Sequence, residues 1–160
     1  MPNSKGLVIM GIDPGNVRAG YGIIQKEGGT LIHIASGILE IGGSSEIGAQ
    51  LCALEKALRG VIGTYRPAAA GLERLFASNN AKTVMGVAEA RGIIHKVIFE
   101  SGIPLREFTP QTIKLSVTGN GRADKKAVAK MVGLILKMET KKLLDDTTDA
   151  LAIAIAVAGG

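Results

Sequence analysis

The chain has one cysteine, no tryptophan, two tyrosines and three phenylalanines, so aromatics make up only 3 % of its residues. A single cysteine, Cys52, excludes an internal disulfide and a thiolate zinc site. On a helix it reads as a small hydrophobe. With so few aromatics, Ile, Val, Leu and Ala must fill the core, and the 46 % hydrophobic content is enough for one. No run approaches the roughly 20 apolar residues of a membrane span. The opening "MPNSKG" has no apolar stretch of the sort a secretion signal carries. The expected location is the cytoplasm, with no membrane partner. The two histidines, His33 and His95, have no metal-ligand spacing and read as surface or core residues. A Walker A loop is absent, and "GIDPGNVRAGYG" lacks the glycine spacing of a dinucleotide-binding turn. That stretch resembles the phosphate hairpin of sugar kinases and actin-like ATPases, but 160 residues leave no room for their second lobe.

A length of 160 residues predicts one domain over 1–160. The net charge of +5 comes from 19 basic and 14 acidic residues, a balance compatible with a polyanionic partner such as nucleic acid. The segment Lys114–Lys142 is rich in lysine and arginine, and the acids singled out below lie elsewhere. Apolar runs predict strands over Leu7–Asp13, Gly20–Gln25 and Leu31–Glu40, with Gly28-Gly29 as a hairpin turn. A helix capped by Ser45 is expected to run to Tyr65, where Arg66-Pro67 stops it. A fourth strand, Ala68–Leu72, delivers Glu73 at its end. Helical spacing then predicts Asn80–Ser101, with Gly102 closing it. Leu105–Phe108 reads as a fifth strand, followed by helices over Pro110–Val117, Lys125–Leu136 and from Asp145 or Asp146 to Ala158. Three strands followed by alternating helices and strands imply an α/β fold. Its mixed sheet has a hairpin side and carries helices on its faces.

Four acids stand out against this frame. Asp13 ends a strand that reads as buried, and a buried carboxylate is costly unless paired or bound to a cation. Glu73 ends the fourth strand, so both can lie at one edge of the sheet. In "DDTTDALAIAIA", Asp146 and Asp149 are three apart and share a helix face. One reading makes these residues first-turn complements to the helix dipole, and it suits Asp145 best. The other brings Asp13, Glu73, Asp146 and Asp149 together. Their repulsion would then raise their pKa values or demand a cation, and hard oxygen donors suit Mg²⁺ or Mn²⁺.

The blocks "GIDPGNVRAGYG", "LERLFASNNAKTVMGVAEARG", "PLREFTPQTIKLSVTGNGRADKKAV" and "DDTTDALAIAIA" resemble, in order and spacing, the bacterial RuvC Holliday junction resolvases of the ribonuclease H-like superfamily. The resemblance spans about Val8 to Ala156 and departs only in the extra "MPNSK" and the short end at Gly160. It implies a ribonuclease H-like fold, a five-stranded mixed sheet flanked by helices on both faces. It also implies that Asp13, Glu73, Asp146 and Asp149 are metal-binding catalytic acids. The implied chemistry is two-metal hydrolysis of a phosphodiester, two Mg²⁺ about 3.5–4 Å apart bracketing the phosphate. Mn²⁺ could substitute, and the nicks would carry 5′-phosphate and 3′-hydroxyl ends.

By the same resemblance, Lys125 would approach the scissile phosphate and offset its developing charge. Lys114 would contact the DNA backbone or act as a second charge stabiliser. Arg122 and Lys126 would be phosphate contacts that position without specifying. Phe76 would stack on a base at the crossover, and Arg74 would contact DNA from the same loop. The implied partners are a four-way DNA junction, a second copy of the chain in a C2 homodimer, and a branch-migration motor of RuvA and RuvB type. The helix from Asn80 to Ser101, with small residues Gly86, Ala90 and Gly92, is the expected dimer element. Two other readings share these residues: a YqgF-type nuclease acting on structured RNA, and a junction-binding module without activity. "DDTTDALAIA" with "FASNNA" favours the resolvase over the first, and the four acids argue against the second.

Overall fold

The register of the first hairpin organises the sheet. In the computed structural model, which describes residues 6–16, 18–41, 43–75 and 80–160, strand β1 (Leu7–Pro14) pairs antiparallel with β2 (Arg18–Glu27), opposing Gly11 to Gly22 and Asp13 to Gly20. Gly28, at φ +59°, turns the chain into β3 (Thr30–Glu40), antiparallel to β2. Helix α1 (Ile47–Tyr65) then leads to β4 (Ala69–Glu73), which lies parallel to β1 on its other side. Helix α2 (Ala81–Glu100) leads to β5 (Leu105–Phe108), parallel to β4. Three helices complete the chain: α3 (Pro110–Thr118), α4 (Lys125–Leu136) and α5 (Asp145–Gly159). The sheet order β3-β2-β1-β4-β5 is the mixed five-stranded sheet expected.

Side chains alternate between the faces of a strand. On one face Met10, Ile12, Ile23 and Leu72 meet Leu54 and Leu58 of α1 and Ile94, Val97 and Ile98 of α2. On the other, Ile9 and Ile24 meet α3, α4 and α5. Helix α5 is the central element of that second layer, buried at Thr147 and Thr148 and from Ala150 to Ala158. Its N-terminus lies at the sheet edge where β1 and β4 end. Its C-terminus is tied down at the opposite edge, where Lys26 Nζ donates to the Ala158 carbonyl at 2.7 Å and Arg106 donates to that of Val157 at 3.3 Å.

Helix α5 rests on glycine. A Cβ on Gly11 would collide with the carbonyl oxygen of Ala150 and stand 2.6 Å from the amide nitrogen of Ala154. A Cβ on Gly20 would collide with the Asp146 carbonyl, and one on Gly71 would collide with Val157. Gly22, Gly11 and Gly71 form one row across β2, β1 and β4. Helix backbone therefore sits almost directly on sheet backbone.

Two local expectations change, the Ser45 cap and the small residues of α2. Helix α1 starts at Ile47 with Glu46 as its N-cap and no side-chain cap bond, so Ser45 does not cap it. Instead Ser44 Oγ accepts from the Glu46 amide at 3.1 Å, which tightens the turn ahead of the helix. Helix α5 begins at Asp145 as expected, with Leu144 as its N-cap and both Asp145 and Asp146 in the first turn. Of the small residues on α2, Ala90 is buried in the core and Gly86 packs beside Asn16, so only Gly92 is on the open face.

Gly11→Ala is expected to destabilise the protein by about 3 kcal/mol or more, since overpacking costs roughly 1–3 kcal/mol and here the obstructing atoms are backbone. Gly60→Ala, on an open face of α1 with nothing within 4 Å of the new Cβ, is expected to stabilise it by about 0.5–1 kcal/mol. Urea denaturation of the two variants reads both signs, and equal effects would refute the close-approach argument.

Candidate active site

Alternation along β1 places Asp13 two residues beyond Gly11, on the α5 face. Alternation along β4 places Glu73 two beyond Gly71, on the same face. The parallel pair Ile12–Leu72 immediately precedes them, so the two acids are neighbours across the strand ends. The first turn of α5 lies on Gly20, the partner of Asp13, which brings Asp149 over the same edge. Asp13, Glu73 and Asp149 line a cleft of about 310 Å³, together with Lys114 of α3 and Lys125 of α4.

The three carboxylates share a pocket that does not suit their charge. Burial first, then the fields of Asp149, Glu73 and Asp146, push Asp13 up to about 8, against the opposing pull of Lys125. Glu73 is raised by burial and then by Asp149, with Lys114, Arg91 and Lys125 working the other way. Asp149 is raised by burial as well, opposed by Lys125. The Lys125 ammonium stands 3.8 Å from Asp149 and 3.8 Å from Asp145. Both lysines compensate only in part. The N-terminus of α5 adds the positive end of a helix dipole at the same point.

Asp146 is held differently. It does not line the cleft, and its carboxylate pairs with the Arg18 guanidinium, 128 residues away in sequence. Among the described residues, no three acidic, histidine or cysteine side chains close around a single point as they stand. The donor set nevertheless fits a hard divalent cation. It is all carboxylate, crowded and partly desolvated, and a cation would offset the burial and the repulsion that together raise all three pKa values.

Arg74, Arg122 and Lys126 do not line the cleft itself. Arg74 is exposed just past β4, its amide donating to the Phe108 carbonyl at 2.7 Å, and its side chain lines a small recess beside Glu73. Arg122 is exposed in the turn before α4, and Lys126 is exposed in the first turn of that helix. Phe76 lies outside the described residues. His33 pairs with Ser36 at 2.9 Å and His95 lies 3.3 Å from Glu107; neither lines the cleft.

Two arginines escaped the sequence reading. Arg18 holds Asp146. Arg91 of α2, with a side chain only 12 % exposed, donates to the Glu73 backbone carbonyl and pairs with Glu107 of β5. It fixes the end of β4 against its neighbour. Its place between buried Ala90 and Ile94, at the edge of an apolar stripe, was the available signal. No local pattern pointed to Arg18.

A mixed sheet with a carboxylate cleft where its two central parallel strands end defines a ribonuclease H-like nuclease of the resolvase type. Solved structures agree. The chain superposes on Thermus thermophilus RuvC in complex with a Holliday junction substrate with a TM-score of 0.88 at 27 % identity, covering 95 % of this chain and 93 % of that one. The yeast mitochondrial Holliday junction resolvase Ydc2 shares the fold, with a TM-score of 0.63 at 16 % identity over 97 % of this chain and 80 % of that one. A family model for crossover junction endodeoxyribonuclease RuvC matches residues 9–157. The RuvC of Petrotoga mobilis is 39 % identical over 148 residues, 92 % of this chain and 91 % of the relative. That of Heliobacterium modesticaldum is 37 % identical over 152 residues, 95 % and 94 % of the two chains. The chain belongs to the RuvC family of crossover junction endodeoxyribonucleases.

The raised pKa of Asp13 has a pH signature in metal-free protein. Between 3.8, its ordinary value, and about 8, the folded state keeps a proton that the unfolded chain has lost. Its contribution to stability is therefore full below the lower value and is lost as pH rises through the upper one. Glu73 and Asp149 act in the same direction. Asp13→Asn is expected to flatten this decline and to be the more stable protein near pH 8. Denaturation in chelator across that range checks it, and parallel curves would refute the raised pKa of Asp13.

Proposed function

We propose that this protein resolves Holliday junctions by nicking DNA strands in the carboxylate cleft of β1, β4 and α5. The observation that carries the reading is the convergence of Asp13, Glu73 and Asp149 on one sheet edge beside Lys125 and Lys114, within a family fold. Nucleases of this family are metal-dependent. The residues proposed to hold the metal, two Mg²⁺ with Mn²⁺ as a substitute, are Asp13, Glu73, Asp149 and, once it leaves Arg18, Asp146. When bound, such ions polarise the phosphate and acidify an attacking water.

The remaining roles fall to the chain itself. Asp13, on the central strand, is the most desolvated of the acids and sets the floor of the site. Glu73 is oriented through its own backbone by Arg91. Lys125, next to Asp149, is placed to approach a phosphate entering the cleft and to offset the charge that builds up on it. Lys114 flanks the opposite side. Arg74, Arg122 and Lys126 are the proposed DNA-backbone contacts, and Phe76 is the proposed stacking residue. Five-prime phosphate and 3′-hydroxyl ends are the proposed products.

The substrate is nearly two-fold symmetric, and a C2 homodimer of one nuclease domain per chain matches it. The open face of α2 supports that reading: Met85 is 64 % exposed and Phe99 is 86 % exposed. Met85, Gly92 and Phe99 recur every seven residues along one side. A branch-migration motor of RuvA and RuvB type is the proposed partner. The proposed place of work is the cytoplasm; among the described residues, no helix is long and apolar enough to cross a membrane.

Labelled four-way junction and matching duplex, in Mg²⁺ or chelator, test the reading. Paired symmetric cuts in the junction are expected, with a loss of about 10²–10³-fold or more in Asp13→Asn, Glu73→Gln and Asp149→Asn and binding retained. Equal cutting of duplex, or full activity in those variants, would refute it. Phe99→Glu is expected to turn the dimer into a monomer by sedimentation velocity, and an unchanged dimer would exclude α2 as its interface.

A further inference from the structure

Beside the catalytic cleft lies a larger groove, about 1020 Å³, between α4 and the segment that leads into α5. Lys126, Lys130 and Leu134 follow one another at helical spacing down one side of α4, and Lys137 is its C-cap. Met138 and Lys141, in the segment beyond the helix, also line the groove. None of these four lysines takes part in an ion pair among the described residues. Leu134 is 61 % exposed. The groove also carries Glu139 and Asp145, so cations exceed anions along it without excluding them. Lys125 and Asp149 line both this groove and the catalytic cleft, which makes the two continuous.

We infer that this groove carries the DNA strand as it leaves the catalytic cleft, splayed from its complement at the crossover. The inference rests on the nuclease reading above. A backbone whose scissile phosphate lies at Asp13, Glu73 and Asp149 passes Lys125 and meets Lys126, Lys130 and Lys137 in turn. They extend over about 16 Å of helix, room for a few nucleotides. Lysines on the rim match phosphates. The aliphatic side chains of Leu134 and Met138 in the lining match the C–H faces of sugar and base. Among the described residues the lining holds no aromatic side chain to serve as a stacking platform, so the contact is to backbone and is indifferent to sequence. Its role is positional: it sets the direction in which the cut strand runs across the site.

The test uses the full-length chain with Asp13→Asn, so that substrate stays intact. To this are added Lys130→Gln, Lys137→Asn and Lys141→Gln. Asparagine is chosen at position 137 because that residue has φ +53°, a conformation that Asn tolerates. Binding of labelled four-way junction is measured against salt concentration, with thermal denaturation as the check on folding. The expected result is affinity weaker by about tenfold and a salt dependence reduced by about 0.7 per lost contact, a change that a merely structural role would not produce. Leu134→Cys in a Cys52→Ser background, coupled to a maleimide–benzophenone, is expected to cross-link within a few nucleotides of the cleavage site on the cut strand. Unchanged affinity and salt slope, or cross-links only to a distant arm, would overturn the inference. Failure of the Asp13→Asn protein itself to bind the junction would instead refute the nuclease reading.

Discussion

The structure depends on how closely the backbone of α5 approaches the backbone of the sheet. Side chains normally hold a helix about 10 Å from a sheet. Here Gly11, Gly20 and Gly71 offer no Cβ to the helix. The helix answers with alanine at every second position from Ala150 to Ala158. That contact buries α5 on almost all sides and sets the height of its first turn over the strand ends. Asp149 reaches the edge that Asp13 and Glu73 occupy because no side chain props the helix away.

That geometry also creates an electrostatic problem. Acids forced together in a partly desolvated cleft repel one another, and the fold offsets this with charge from several elements. Lys114 and Lys125 face the cleft from α3 and α4, and the α5 dipole points into it. Arg91 and Arg18 work from the edges, one on the Glu73 backbone and the other on Asp146. Lys26 and Arg106 hold the far end of α5, so the helix is anchored at both termini. The compensation is incomplete, and Asp13 remains pushed up to about 8. A site that stays repulsive when empty is poised to take up a divalent cation, whose binding would displace that proton.

Most of the fold was legible in the sequence. Periods of two and of about 3.6 marked the strands and helices, and Gly28-Gly29, Pro110 and Asn80 punctuated them where expected. Asp13 and Glu73 were legible because each follows an apolar run, and strand alternation settles the face on which each emerges. Helix starts were less legible. Ser45 has a cap-forming side chain, yet Glu46 took that position, because the turn ahead of the helix sets the boundary.

The sequence by itself determined the elements, their order, and the positions at which carboxylates end strands and open a helix. These follow from local periodicity and chain stereochemistry, which act over a few residues. Only the tertiary structure decided that Asp146 would pair with Arg18 while Asp149 lined the cleft, that Arg91 would clasp the end of β4, and that Gly86 and Ala90 would face inward. Those outcomes rest on contacts between residues far apart in the chain, 128 positions in the case of Arg18 and Asp146. They depend on the distance between backbones, which the glycine floor sets only once the sheet has formed and α5 has docked on it.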